Sequence, residues 1–309
     1  MRLPAGHALG RRISSLFWAR PWLKVVLLLA PGLAWLGVIY LGSLFSLLLN
    51  SLYRVDSLTN LLIRRITLDT LSQLLDRSNL DIIARTAAMA AVVTLACAVI
   101  AFPLAYYMAR YATPRGRAAL YLAILMPLWS SYLVRVYSWK LILAKEGVLS
   151  WFVQHLRLRP ALNWVLGVPG VGGPSLSQSF LGMFIVFVYI WLPYMILPLE
   201  AALERVPASY LEASSDLGAR PTLTFRKVVL PLALPGLVAG SIFTFSLTLG
   251  DFIIPTIIGN SSFFIGAVVY VQTGTAANLP LAAAFALVPV AIMSIYLLVA
   301  RRLGALEAL

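Results

Sequence analysis

The chain reads as an all-α membrane protein with six transmembrane helices, and three observations support that reading. First, 61% of its 309 residues are hydrophobic and only 11% are charged, whereas ordinary soluble domains carry about 25% charged residues. A mean hydropathy of +0.90 is more apolar surface than a soluble fold of this length can hide behind a polar exterior. Second, six mostly apolar runs have roughly the length, about 20 residues, that a bilayer crossing needs. Third, the net charge of +13 comes from basic residues that flank these runs and form no single face or tract. That pattern suits membrane topology and argues against a nucleic-acid partner.

The six runs lie at 24–49, 82–108, 118–137, 180–199, 229–258 and 281–300. Pro31, Pro103, Pro127, Pro193, Pro231, Pro235, Pro255 and Pro289 fall inside them. Membrane helices tolerate such breaks where neighbours satisfy the freed backbone groups, so a bundle of kinked helices is expected. Arg11-Arg12 ahead of the first run resembles a twin-arginine signal. The run from Lys24 is too long for a signal-peptide core, which favours an uncleaved first span with Arg11, Arg12, Arg20 and Lys24 on the cytoplasmic side. Arg110, Arg115 and Arg117 then face the cytoplasm, as do Arg205, Arg220, Arg226, Lys227, Arg301 and Arg302, whereas segment 259–280 carries no charge. Both termini are expected inside.

Between the spans, apolar residues at 68, 71, 74 and 75 suit a short amphipathic helix started by Thr67 or Asp69. The stretch 167–174 is a turn-rich loop with no Gly-Lys-Ser/Thr to make it a phosphate cradle. Gly236 and Gly240 form a GxxxG pattern, a possible packing face in the fifth run.

Enzyme chemistry is nearly absent. His7 and His155 are far apart, no Cys/His cluster has metal-ligand spacing, and neither a nucleophile elbow nor a Walker A motif is present. Cys97 is the single cysteine and lies in an apolar run, so it forms no internal disulfide. Asp56, Asp69, Asp76, Asp81, Glu146, Glu204, Asp216 and Glu307 are expected in solvated loops or tails. Any energised work must draw on a separate subunit.

The polar stretch between the fourth and fifth runs is the most informative part of the chain. Pro207 suits the first turn of a short helix over 208–217. Tyr210, Leu211, Ala213, Ser214 and Leu217 share an apolar-to-small side of it. Gly218 stands where a helix end calls for positive φ, and Pro221-Thr222 restarts a helix into the membrane. Glu212 and Asp216, four apart with like charge, weaken an isolated helix. Such a helix is expected to meet a partner; the alternative is an ordinary linker.

Glu212-Ala213-Ser214, then Gly218, Val228 and Leu230-Pro231 at their observed spacing resemble the EAA loop of bacterial binding-protein-dependent ABC importer permeases. Ser214 and Val228 are mild departures from that pattern. Segments 79–110, 127–140 and 247–252 further resemble the first permease subunit of spermidine/putrescine importers, and the similarity spans roughly 60–303. The resemblance implies a type I importer permease fold with a core at 82–303, a coupling loop at 204–228 within it, an N-terminal part at 1–81 and a cytoplasmic tail at 304–309. It implies a bacterial inner-membrane location, a second and non-identical permease subunit, a homodimeric cytoplasmic ATPase that binds the ATP and Mg, and an extracytoplasmic binding protein. No cofactor is expected in this chain. Tyr210, Leu211, Glu212, Ala213, Asp216, Leu217 and Gly218 would face the ATPase, whose closure on ATP would tilt the spans from inward-open to outward-open. The cargo would be a polyamine or a related small organic cation; an opine, an amino-acid derivative, iron or sulfate are alternatives. A secondary transporter working without an ATPase is the competing class, although no internal repeat is evident.

For the substrate path, Asp251 stands out as an acid inside a span, and such acids usually face a pathway. An interhelical or helix-end hydrogen bond is the alternative. Trp129, Tyr132, Tyr137, Tyr189, Trp191 and Tyr194 could hold an ammonium group through their ring faces, or could serve as interfacial and packing residues. Arg135 would repel a polyamine unless paired, and could instead touch the binding protein or stabilise a gate.

Overall fold

The computed structural model describes residues 21–56, 59, 61–259 and 264–302. The expectations for His7, Arg11, Arg12, Arg20 and the tail 304–309 lie outside the described residues. The chain begins with α1 (Pro21–Ala34), which passes through a π-helical stretch, Trp35–Leu41, into α2 (Gly42–Ser51). A small antiparallel hairpin, β1 (Arg54–Val55) and β2 (Leu62–Ile63), and α3 (Asp69–Gln73) follow. Then come α4 (Arg77–Arg110), α5 (Pro114–Leu125), α6 (Tyr132–Ile142), α7 (Val148–His155), α8 (Arg159–Leu166) and α9 (Phe180–Glu204). The second half holds α10 (Ala208–Asp216), α11 (Pro221–Thr224), a π-helical stretch Phe225–Val229, α12 (Leu230–Gly250), α13 (Ile253–Ile257), α14 (Ile265–Thr273) and α15 (Leu279–Arg302).

The core is a three-helix unit of α4, α9 and α12. On α4 the fully buried residues Ala90, Val93, Cys97, Ala101, Ala105 and Met108 recur every three or four positions, so they form one face. They are mostly small, which lets backbones approach closely where lipid offers no hydrophobic drive for association. Against them lie Met183, Phe187, Ile190, Met195 and Leu199 of α9. Gly236 and Gly240 of α12 meet the same helix: a Cβ at Gly236 would stand 2.5 Å from the Ala202 Cβ, and one at Gly240 3.0 Å from the Met195 Cα. The GxxxG pattern is therefore a contact face. In the first span only α2 packs closely on α15, and α1 keeps its apolar side chains exposed.

Five described helical stretches are long and apolar enough to cross a membrane, and six if one bent pair counts as a single span. That pair is the run expected at 118–137, and the kink expected of such a proline-containing span is here a right-angle break. The helix breaks after a 3₁₀ turn, Met126–Trp129, and α6 leaves at 96°. Pro127 has no N–H to continue the ladder, and Ser130 and Ser131 are extended (ψ 152° and 139°), so two consecutive residues leave helical geometry. The fifth span stops at Gly250, short of the expected 258, because Asp251 is extended at ψ 132°. The fourth runs on to Glu204, so that residue is helical and not in a loop; α4 starts at Arg77, which likewise places Asp81 in a helix. His155 ends α7 and Asp69 opens α3, and the uncharged segment 259–280 contains α14, whose Ile265 N–H donates to Thr86 Oγ1 at 3.1 Å.

Adding a methyl group at Gly236 should lower stability by about 1–3 kcal/mol through overpacking. The same change at Gly42, where nothing lies within 4 Å of an added Cβ, should be neutral or stabilising. Thermal midpoints of Gly236→Ala and Gly42→Ala in detergent check the contrast; equal midpoints would contradict this packing.

Candidate functional site

Two constellations sit at opposite ends of the core. At one end α9 turns into α10, and the turn is held by arginines. Arg110, the last residue of α4, donates to the carbonyls of Leu203 (3.2 Å) and Val206 (2.6 Å). Arg117 of α5 donates to the carbonyls of Met108 (2.9 Å) and Ala109 (3.1 Å) and pairs with Glu204. Met108 and Ala109 are among the last four residues of α4, whose carbonyls lack α-helical partners, and cations suit such C-terminal ends. α10 therefore hangs from a fixed root.

Pro207, expected in the first turn, is instead the residue just before α10, at φ −65° and ψ 139°. The far end of α10 closes as a Schellman motif. The Gly218 N–H donates to Ser215 O at 2.8 Å, the Ala219 N–H donates to Ser214 O at 3.1 Å, and Gly218 has φ +74°, where glycine is favoured. α11 then starts at Pro221, and the hydroxyls of Ser214 and Thr224 lie 2.8 Å apart, joining α10 to α11. The serine that departs from the EAA pattern thus holds the turn. Tyr210, Glu212, Ala213, Asp216, Leu217 and Gly218 are exposed, Leu217 at 87%, while Leu211 packs inward on the core. The expected contact set is therefore split, with Leu211 anchoring the helix. Neither Glu212 nor Asp216 has an ion pair among the described residues.

At the other end the Tyr132 hydroxyl donates to Asp251 Oδ2, and its ring stacks on Trp191 at 5.8 Å and 19°. The Arg135 guanidinium lies 5.9 Å from the Tyr132 ring centre, and Tyr194 meets Trp191 edge-on at 5.8 Å. Asp251 Oδ1 accepts from the N–H groups of Ile253 (2.7 Å) and Ile254 (3.0 Å), which starts α13. Asp251 is therefore not inside a span, as expected, but in the break just past one, with both oxygens engaged locally. Tyr189 pairs with Trp139 at 5.0 Å, beside this group, whereas Trp129 is 77% exposed and outside it. Tyr137 is also exposed. Two buried donors in the cluster, Arg135 Nε and Trp191 Nε1, have no hydrogen-bond partner among the described residues.

Glu200 escaped the sequence reading. It is 1% exposed inside α9, accepts from the Tyr121 hydroxyl through Oε2, and leaves a buried Oε1 without a partner. The signal was available: Glu200 and Glu204 are four apart, and so are Arg117 and Tyr121. On antiparallel helices the two pairs face each other rung by rung. No three or more metal-ligating side chains converge among the described residues.

Residues 101–306 match the family of binding-protein-dependent transport system inner membrane components. The chain is 52% identical, over all of its length and 98% of the relative's, to the inner membrane ABC transporter permease protein YdcU of Escherichia coli (strain K12). It is 30% identical to the spermidine/putrescine transport system permease protein PotB of the same organism, over 75% of this chain and 81% of that one. A crystal structure of a bacterial ABC transporter that imports the acidic polysaccharide alginate superposes with TM-score 0.70 at 15% identity, covering 94% of this chain and 99% of that chain.

Replacing Gly218 by valine puts a β-branched residue at φ +74°, a strain of about 1–3 kcal/mol. Hydrogen exchange should quicken across 208–224 in Gly218→Val while the core amides of α4, α9 and α12 keep their protection. Unchanged exchange in the hairpin would contradict the role given to Gly218.

Proposed function

The chain belongs to the family of binding-protein-dependent transport system inner membrane components, as an ABC importer permease subunit, and on that premise we propose that it couples ATP-driven closure of a cytoplasmic ATPase pair to the passage of a small organic cation of the polyamine class. α10 is the coupling element. Its exposed Tyr210 and Leu217 offer apolar contacts to an ATPase groove, and unpaired Glu212 and Asp216 offer polar ones. ATP binding draws the ATPase copies together, α10 moves with them, and α9 and α12 follow as packed bodies. The equilibrium between inward-open and outward-open arrangements shifts by the difference in ATPase contact between the two. The second permease is a different chain, a binding protein delivers the solute from outside, and both termini lie in the cytoplasm.

The observation that carries the cation reading is the ring cluster joined to Asp251. Aromatic faces hold ammonium groups, and the Asp251 carboxylate joined to Tyr132 offsets the nearby charge of Arg135, which would otherwise repel one. Similarity to a protein named as a spermidine/putrescine permease supports the same class. A second reading draws on the unpartnered Arg135 Nε and Trp191 Nε1. Two buried donors favour a solute that also carries an acceptor, such as an amino-acid derivative. An ATPase-independent carrier draws no support from this family membership.

Uptake into proteoliposomes separates these readings. With putrescine as the probe, Asp251→Asn should reduce uptake about tenfold, the effect of losing about 1.4 kcal/mol of interaction, with the co-purifying ATPase retained. Unchanged kinetics would remove Asp251 from the path, and stronger competition by 4-aminobutyrate than by putrescine would favour the second reading. Leu217→Asp with Glu212→Lys should abolish ATPase co-purification; retention of the ATPase would overturn the coupling role of α10.

A further inference from the structure

We propose that the hairpin of α7 and α8 is an interfacial membrane anchor, seated in an anionic lipid headgroup layer at the end of the bundle opposite α10. Each helix has eight residues, a length of about 12 Å, far short of the roughly 30 Å hydrocarbon core. Neither can cross the bilayer. Yet both are apolar on two sides. Leu149, Leu162 and Leu166 pack inward on the core. Trp151, Phe152 and Trp164 point away from it, at 54%, 52% and 75% exposure. Large apolar side chains on the outer side of a helix whose inner side is also apolar need a second apolar medium there, and a short helix beside a bilayer finds one at the acyl–headgroup boundary, where tryptophan is favoured.

The charges agree with that placement. Between 143 and 166 the hairpin carries Lys145, Arg157 and Arg159 against one acid, Glu146, and all four are exposed. Arg157 stands at the turn between the helices with φ 54°, and the Leu158 N–H closes back on Val153 O at 2.9 Å. The basic residues thus alternate along the hairpin with the aromatic ones, as a surface attracted to anionic phosphates requires. The hairpin is also fixed to the bundle. Ser177 N–H donates to Leu143 O, and Gly173 N–H to Leu166 O, both at 3.1 Å, while Leu181 N–H donates to Val171 O at 3.2 Å. Seating the hairpin therefore fixes the depth and tilt of α9, which begins at the next residues.

Nitroxide labels at Phe152→Cys and, separately, Trp164→Cys, each in a Cys97→Ala background, test this in the full chain with its co-purifying subunits. The complexes are placed in nanodiscs of phosphatidylcholine with and without phosphatidylglycerol. The ratio of oxygen to nickel-chelate collisions should exceed that of a label at Glu146→Cys, and should rise when phosphatidylglycerol is added. Arg157→Glu with Arg159→Glu should remove that rise. A ratio equal to that at Glu146→Cys would place the hairpin in water and overturn the proposal. Suppression of both collision rates would show a protein partner on this face and overturn it as well. An indifference to phosphatidylglycerol would overturn the anionic part.

Discussion

The arrangement depends on two arginines that join the ends of helices at one end of the core. Within and near a bilayer an unpaired backbone carbonyl costs several kcal/mol, and each helix leaves its last four carbonyls without internal partners. Arg110 and Arg117 take four carbonyls between them: Met108 and Ala109 in the last turn of α4, Leu203 in the last turn of α9, where it also accepts from the Val206 N–H, and Val206 in the turn beyond. Charge-assisted bonds of this kind are worth about 1.5–3 kcal/mol each. The same Arg117 pairs with Glu204, so helices α4, α5 and α9 are joined at one point. α10 begins four residues past Glu204, so a displacement of α10 would act on that point.

From that junction the third span is tied to α9 at both ends. At the α10 end Arg117–Glu204 and Tyr121–Glu200 hold α5 along two successive helical turns. Beyond the 96° bend, Tyr132 of α6 stacks on Trp191 of α9 and reaches Asp251 beyond α12. A displacement of the α9 root must therefore either carry α5 with it or break polar contacts that are expensive to leave unmade. This gives a physical route from α10 to the ring cluster, through elements that move as packed units.

Much of this was legible in the chain. Long apolar runs and their basic flanks gave the spans, because crossing length and charge placement are imposed by the bilayer and not by packing. Gly218 and Pro221 marked the hairpin because positive φ and a missing N–H are local requirements. A kink was expected of the span holding Pro127, but the size of the break at Ser130–Ser131 was not legible, since Pro103, Pro193, Pro235 and Pro289 sit inside continuous helices. Asp251 was placed inside a span because its neighbours stay apolar; its role in starting α13 depends on its own side chain folding back to two N–H groups. Glu200 was missed because an apolar run was ended at the first acid, although its register with Tyr121 could have kept it inside the helix.

The most direct measurement is the ratio of putrescine uptake to ATP hydrolysis in proteoliposomes holding the assembled importer with Arg117→Gln. Loss of the Arg117–Glu204 link should leave the ATPase bound and hydrolysing while the ratio falls severalfold, because α10 then moves without carrying the bundle. A wild-type ratio in that variant would contradict the view that the arginine-held junction transmits the stroke.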